Sequence, residues 1–245
     1  MTKTPALYGT RPARALGRFA GWTMRRDLRS HYRRAVRVGA PPSRDPAPGR
    51  PLVLVANHHV YHDSFLLWYW LTHGLGRRMV VWMEAWERAP LFGPIGALPF
   101  PADDPRERTR TIRETSRRLA ENPATGLILY PEGHLGSPDD GLAPFQTDLP
   151  RLARLLPDAA AWVPTGLHAT WWGESRPTLL LATGEARDAP DDGMAERVRD
   201  ALAAARTARP DDLATGRAFR LLDGHEGPDE RWDLSRLAPT VRRWM

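Results

Sequence analysis

Two residues five positions apart, His58 and Asp63, are the best candidates for acid–base chemistry in this sequence. A single α-helix would not bring them together, because a five-residue step turns their side chains about 140° apart. They can meet if His58 lies on a turn and Asp63 begins the following helix. The carboxylate would then hold the imidazole in one tautomer and stabilise its protonated form, which leaves the other ring nitrogen to take a proton from an alcohol.

The segments on either side of this pair predict a strand, a turn and a helix. The apolar run Leu52–Ala56 is typical of a buried strand, Asn57 ends it, and a second apolar segment covers residues 64–72. This second segment is apolar nearly all round, so as a helix it is either buried in protein or facing an acyl chain.

A metal site is the alternative use of these side chains. His58 and Asp63 share the segment with His59 and His62, and the His-x3-His spacing is typical of metal ligands on a helix. No second group of ligands accompanies them in the sequence, so we expect the site to hold no metal.

A second block downstream has the same form as the first. Residues 126–129 predict another buried strand, and it ends in Tyr130-Pro131-Glu132-Gly133, followed by His134. A third apolar block contains the pair Val163-Pro164.

These three blocks, in this order, resemble the motifs of the glycerolipid acyltransferases of the lysophosphatidate acyltransferase type. Asn57-His58-x4-Asp63 is similar to the first motif, the Pro131-Glu132-Gly133 block to a second with Tyr130 for Phe, and Val163-Pro164 to the family's late strand. The resemblance covers residues 51–183 and implies an α/β fold with a central mixed sheet flanked by helices. The alternation of strands and helices along the chain favours the same class.

The resemblance also implies an activity. A fatty acyl group would pass from the thioester of acyl-CoA or of an acyl carrier protein to a hydroxyl of a lipid acceptor, with no further cofactor. His58 would act as the general base and Asp63 would support it. The remaining motif residues are implied in substrate binding: Asn57, Tyr130, Pro131, Glu132, Gly133 and His134.

Two points of this mechanism stay open at the level of sequence. Glu132 would either hold the His58 loop or bind the acceptor. The absence of a Gly-x-Ser-x-Gly elbow favours direct transfer over a covalent serine intermediate. Two alternatives share the expected fold: a non-catalytic protein that binds lipid or a membrane surface, and a thioesterase that uses water as the acceptor.

The sequence departs from the family at both expected phosphate-binding arginines. Leu135 stands where the family has an Arg after its Pro-Glu-Gly motif, and the first arginine after Phe100 is Arg106. Because Leu cannot make the bidentate contact that Arg offers to phosphate, we expect an acceptor other than lysophosphatidate. A sugar lipid, a glycosylated isoprenoid and an amino-acid lipid are candidates.

Composition limits the remaining possibilities. The chain has 245 residues, a formal net charge of +6 and no Cys, which excludes disulfides and sulfur-based zinc sites. The basic residues are almost all Arg, which fits either a compositional bias of the genome or attraction to phosphates. No stretch approaches the about 18 apolar residues needed to cross a bilayer, and the N-terminus lacks the apolar core of a signal peptide.

A basic helix is expected from Arg11 to Arg37, where Phe19 and Trp22 lie among many arginines. This pattern fits an interfacial helix on a membrane or an ordinary helix with a solvated basic face. We expect no nucleic-acid partner, because no nucleic-acid motif accompanies the charge. The expected protein is cytoplasmic and peripheral on the inner face of the cell membrane. The predicted regions are residues 1–50 (basic helix and Pro-rich linker), 51–210 (acyltransferase domain) and 211–245 (C-terminal extension).

Overall fold

The computed structural model describes residues 11–231. Residues 1–10 and 232–245, which belong to the predicted N-terminal region and C-terminal extension, lie outside the described residues. The helices are α1 (Arg11–His31), α2 (Asp63–Tyr69), α3 (Pro105–Glu121), α4 (Leu149–Ala153), α5 (Met194–Thr207), α6 (Asp211–Ala214) and α7 (Pro228–Arg231). The strands are β1 (Arg34–Val38), β2 (Leu52–Ala56), β3 (Arg78–Met83), β4 (Ala97–Pro99), β5 (Thr125–Leu129), β6 (Ala161–Thr170), β7 (Thr178–Thr183) and β8 (Ala218–Asp223).

The strands form a single eight-stranded mixed sheet in the order β4-β3-β5-β2-β6-β7-β1-β8. The first five are parallel to their neighbours, β7 is antiparallel to β6, and β8 is antiparallel to β1. Helices cover the sheet, so the predicted α/β fold with a central mixed sheet is confirmed.

The central strands β2 and β5 are buried along their whole length because helices pack on both faces of the sheet. One face is covered by α2, whose Leu66 and Leu67 are fully buried, and the other by α3 and α5, which bury Leu119 and Val198. Burying such a side chain contributes about 1.5–3 kcal/mol. A rigid pair of neighbouring parallel strands therefore carries the loops that follow residues 56 and 129.

The predicted basic helix from Arg11 to Arg37 is too long. The helix ends at His31, and Arg34–Val38 forms strand β1 instead. The sequence of this segment does not show the apolar pattern of a buried strand, because two of its residues are arginines whose side chains are buried rather than solvated. Arg37 lies 4.6 Å from the Trp70 ring centroid and donates to the carbonyl of Pro41 at 2.7 Å. Burial, followed by the nearby charge of Arg44, lowers the pKa of Arg37 to about 10.

The two regions that were predicted to lie outside the acyltransferase domain contribute strands to the same sheet. Strand β1 comes from the predicted N-terminal region and β8 from the predicted C-terminal extension, and the two pair with each other. The predicted boundaries near residues 50 and 210 therefore lie between strands of one sheet. The Pro-rich linker between β1 and β2 contains neither helix nor strand, as its prolines predict.

Candidate active site

The candidate catalytic pair lies where two neighbouring strands end. Strands β2 and β5 are parallel, with Val55 opposite Leu129, so the chain leaves both at the same edge of the sheet. The loop after β2 carries His58, and the loop after β5 carries Glu132. Open α/β sheets commonly place their reactive residues at the carboxyl ends of such strands.

The structure brings His58 and Asp63 into direct contact. His58 Nδ1–H donates to Asp63 Oδ2 over 3.1 Å, and Asp63 is the first residue of α2, as expected from the sequence. The same Oδ2 accepts the backbone N–H groups of His59 and Val60 at 2.8 and 2.9 Å. Asp63 therefore holds both the turn and the imidazole, and Nε2 of His58 is left for a substrate.

Tyr130 fixes the orientation of the imidazole from its other side. The rings of His58 and Tyr130 are stacked with centroids 4.1 Å apart and planes 15° from parallel. Tyr130 shares a 3.0 Å hydrogen bond with Ser64 on α2. Burial, followed by the charge of Asp63, raises the pKa of Tyr130 well above its usual value, so its hydroxyl stays neutral.

Glu132 supports the His58 loop from a completely buried position. Its Oε1 accepts the backbone N–H of His58 at 2.8 Å, and its Oε2 accepts the backbone N–H of Ala143, also at 2.8 Å. Both carboxylate oxygens are thus directed to backbone donors. This arrangement corresponds to the first of the two roles considered from the sequence, the one that holds the loop.

Asn57 is also completely buried, and it ties the β2 loop to β6. Its side chain accepts the N–H of Leu167 at 2.7 Å and donates to the carbonyl of the same residue at 2.9 Å. It donates as well to Nδ1 of His59, whose Nε2–H reaches the carbonyl of Gly141 at 2.9 Å. Pro131 is buried too, and its carbonyl accepts the backbone N–H of Gln146.

These positions separate the predicted substrate-binding residues into two groups. Tyr130, Gly133 and His134 line an open cleft together with His58, whereas Asn57, Pro131 and Glu132 do not line it. Burial explains the difference, because the second group is covered by the loops that it supports. The structure therefore places this second group behind the cleft, with no surface for a substrate.

The cleft has a volume of about 950 Å³ and extends around the sheet edge onto both faces. The first arm, on the side of α1 and α2, is apolar; the residues that line it include Met24, Phe65, Met79, Phe92, Ile95 and Ala97. The second arm, beside α3 and α4, is more polar; its lining includes Arg108, Thr109, Ile112, Arg151 and Leu155. His58 also lines this cleft.

The two arginines of the second arm are functional candidates that the sequence did not identify. Arg108 lies on α3, where it sits 4.5 Å from the Phe100 ring centroid, and Arg151 lies on α4. The sequence around either position has no distinctive motif. Only the packing of α3 and α4 shows which arginines face the cleft.

Helix α1 has apolar side chains on both its buried side and its exposed side. Its Ala20, Met24 and Leu28 are buried against the protein, while Leu16, Phe19 and Trp22 are exposed. In the part of the chain that the structure describes, no helix is both long enough and apolar enough to span a bilayer.

Comparisons with known proteins identify the family and a similar fold. A family model described as Acyltransferase matches residues 33–167, over half of the chain. The crystal structure of the 1-acyl-sn-glycerophosphate (LPA) acyltransferase PlsC from Thermotoga maritima is similar, with a TM-score of 0.52, 18% identity and 80% of each chain covered. At this identity the similarity concerns the fold. No curated protein matches the sequence.

Proposed function

This chain belongs to the acyltransferase family, and we propose that it moves a fatty acyl group from a thioester to a hydroxyl of a lipid acceptor, with His58 as the general base. The observation that carries the proposal is the contact between Asp63 and Nδ1 of His58, a residue that lines the cleft. A protein that only binds lipid does not need a carboxylate-oriented imidazole at that point.

The reaction follows from the free nitrogen of His58. Nε2 takes the proton of the acceptor hydroxyl while the oxygen attacks the thioester carbonyl carbon. When the tetrahedral intermediate collapses, the carbon–sulfur bond breaks and the thiolate leaves with the proton that His58 had taken. Asp63 stabilises the imidazolium between these two steps without itself being protonated.

The apolar arm of the cleft is the proposed site for the acyl chain. Its walls come from both the helical layer and the sheet, through Phe65 on α2, Met79 on β3 and Ile95 in a short 3₁₀ helix. An acyl chain laid along these side chains removes about 0.8 kcal/mol of unfavourable hydration for each buried CH₂ group. The thioester carbonyl would then lie beside His58.

The second arm is the proposed site for the phosphates of the donor. Both acyl-CoA and an acyl carrier protein present the thioester on a phosphopantetheine arm, and Arg108 and Arg151 are cations facing this part of the cleft. Asp148 also lines the cleft, but its carboxylate caps α4 by accepting the N–H of Arg151 at 2.8 Å. The side-chain guanidinium groups are therefore the proposed phosphate ligands.

The acceptor is proposed to be a lipid alcohol without a phosphate near the reacting hydroxyl. Leu135 lines the cleft and is half exposed at the position where the family has an arginine. A competition assay between lysophosphatidate and a neutral lipid alcohol tests this, with Leu135→Arg as the matched variant. We expect the neutral alcohol to be preferred and Leu135→Arg to shift the preference towards lysophosphatidate. A clear preference of the unchanged protein for lysophosphatidate would contradict the proposal.

The exposed side of α1 is the proposed contact with the inner surface of the cell membrane. Phe19 and Trp22 are stacked 6.0 Å apart, Trp22 is 53% exposed, and Arg26 lies 5.3 Å from its ring. Aromatic groups beside arginines suit an anionic lipid surface. In a flotation assay with anionic vesicles we expect Trp22→Ser to reduce binding. Trp171, on the loop after β6, is even more exposed and provides the control Trp171→Ser, which should bind as before.

Release of free thiol from acyl-CoA, with and without lipid alcohols, tests the proposed activity. We expect release only when an acceptor is present, loss of release in His58→Ala, and normal release in His225→Ala, which changes an exposed histidine. Release without any acceptor would indicate a thioesterase. No release with any acceptor or donor, from a folded protein that still binds lipid, would indicate a binding protein.

A further inference from the structure

A cluster of possible metal ligands lies on the far side of the catalytic turn. Asp27 and His31 are one helical turn apart at the end of α1, and His62 comes from the loop that immediately precedes Asp63. One ligand atom from each of the three lies within 4.8 Å of the others. The cluster is separate from His58 and His59, which bind Asp63 and Gly141 instead.

The distances are close to those of a tetrahedral site. His62 Nε2 is 2.8 Å from Asp27 Oδ2, and His31 Nδ1 is 3.3 Å from Asp27 Oδ1. Metal–ligand bonds of about 2.0–2.1 Å place tetrahedral ligands about 3.3 Å apart. The two distances reach different oxygens of Asp27, and His31 Nδ1 also contacts the Asp27 carbonyl at 3.0 Å and the Ser30 hydroxyl at 3.1 Å, so binding an ion requires the exposed His31 side chain to turn away from these two groups. His62 is mostly buried whereas His31 is more than half exposed, which leaves a fourth position open to water.

Tyr32 supplies the outer partner that a metal-binding histidine requires. Its hydroxyl lies 3.0 Å from Nδ1 of His62, on the opposite side of the ring from Asp27. A histidine that binds a metal through one nitrogen usually donates the other N–H to such a partner, which fixes the tautomer.

We infer that Asp27, His31 and His62 form a site for a divalent transition metal ion, of which Zn²⁺ best suits two imidazoles and one carboxylate. Zinc commonly takes this set of nitrogen and oxygen ligands in a four-coordinate site. The ion would join the end of α1 to the loop that carries the catalytic carboxylate. The site takes no part in the proposed acyl transfer and does not depend on it.

Zinc binding by the full chain tests the inference. Protein treated with a chelator is titrated calorimetrically with ZnCl₂ at fixed pH, and we expect one site per chain. Because His31 is exposed, His31→Gln will fold, and it should weaken binding by more than the about 10–100-fold typical of losing an outer partner. Tyr32→Phe should weaken binding within that range, and His73→Gln, on a separate surface, should leave it unchanged.

A ¹⁵N-histidine NMR spectrum supplies an independent signature. Without metal, His62 Nε2–H donates to Asp27 and Nδ1 accepts from Tyr32; with zinc on Nε2, the proton must lie on Nδ1. We expect this exchange of tautomer on adding zinc. The inference is overturned if zinc does not bind, if binding is unchanged in His31→Gln, or if His58→Ala abolishes it, since zinc would then occupy the catalytic pair.

Discussion

Glu132→Gln decides between the two roles of this carboxylate. The change keeps the shape of the side chain but replaces one acceptor oxygen by an NH₂ group. Both oxygens of Glu132 accept backbone N–H groups, from His58 and Ala143, each at 2.8 Å, and the residue is completely buried. In the variant, one of these two backbone N–H groups must face the NH₂ group of the glutamine, which is also a donor. Rotating the amide does not help, because it has only one acceptor oxygen.

The expected loss is large enough to measure. A hydrogen bond to a charged group contributes about 1.5–3 kcal/mol, and a buried donor without a partner costs about a further 1–3 kcal/mol, so we expect the free energy of unfolding to fall by about 2.5–6 kcal/mol. Since the N–H of His58 is one of the two donors, the imidazole will also be displaced. Misplacing a catalytic group by about 1 Å costs about 10²-fold in rate.

The assay combines urea denaturation with steady-state kinetics of thiol release. We expect kcat to fall by about 10²-fold while KM for the acceptor stays unchanged, because Glu132 does not line the cleft. Glu185→Gln, which changes an exposed residue, is the control and should alter neither stability nor rate. A raised KM for the acceptor with a nearly normal kcat would refute the reasoning and assign Glu132 to acceptor binding.

Three further changes probe the other parts of the site. Asp63→Asn should lower kcat by about 10²–10⁴-fold in the thiol-release assay, and a nearly normal rate would contradict the proposed support of His58 by this carboxylate. Arg108→Ala should raise KM for acyl-CoA, whereas Arg110→Ala, on the same helix but paired with Glu107 outside the cleft, should not; equal effects would point to general charge attraction. Tyr130→Phe keeps the ring stack and loses only the bond to Ser64, so we expect about 1 kcal/mol of destabilisation in urea and unchanged turnover; a large fall in kcat would show that the hydroxyl takes part in the chemistry.

The elements that position the site were predictable because their patterns are local. Leu52–Ala56 is a strand with the predicted bounds, and the helix after it begins at Asp63. Helix α3 likewise begins at Pro105, with the Asp104 side chain accepting the N–H groups of Arg106 and Glu107 as its cap. In each case apolar periodicity and a terminal polar residue agree.

Strand β1 was missed because its sequence hides the burial of its polar residues. Arg34 and Arg37 are 7% and 2% exposed, although arginines are expected on a solvated face. Arg34 is paired with the distant Glu174, and Arg37 packs against the ring of Trp70 and donates to the carbonyls of Pro41 and Arg44 in the following linker. Such tertiary compensation cannot be read from a local pattern, so the segment was assigned to the preceding helix.

The predicted substrate-binding residues illustrate a different limit. A motif identifies residues that belong to one site, but it does not separate those that touch a substrate from those that hold them. Asn57 and Glu132 satisfy backbone groups of neighbouring loops, while Tyr130 and His134 face the cleft. The difference depends on which loops cover the strand ends, and that is a property of the assembled sheet.

The spacing of His58 and Asp63, the proposed catalytic pair, has a structural cause as well as a chemical one. Asp63 Oδ2 accepts two backbone N–H groups of the turn, from His59 and Val60, in addition to the imidazole N–H of His58. A carboxylate one position earlier or later would leave these buried donors without a partner, at a cost of about 1–3 kcal/mol each. The fold and the proposed chemistry therefore require the same residue at the same distance, which explains why this pair, unlike the cleft arginines, could be found from the sequence alone.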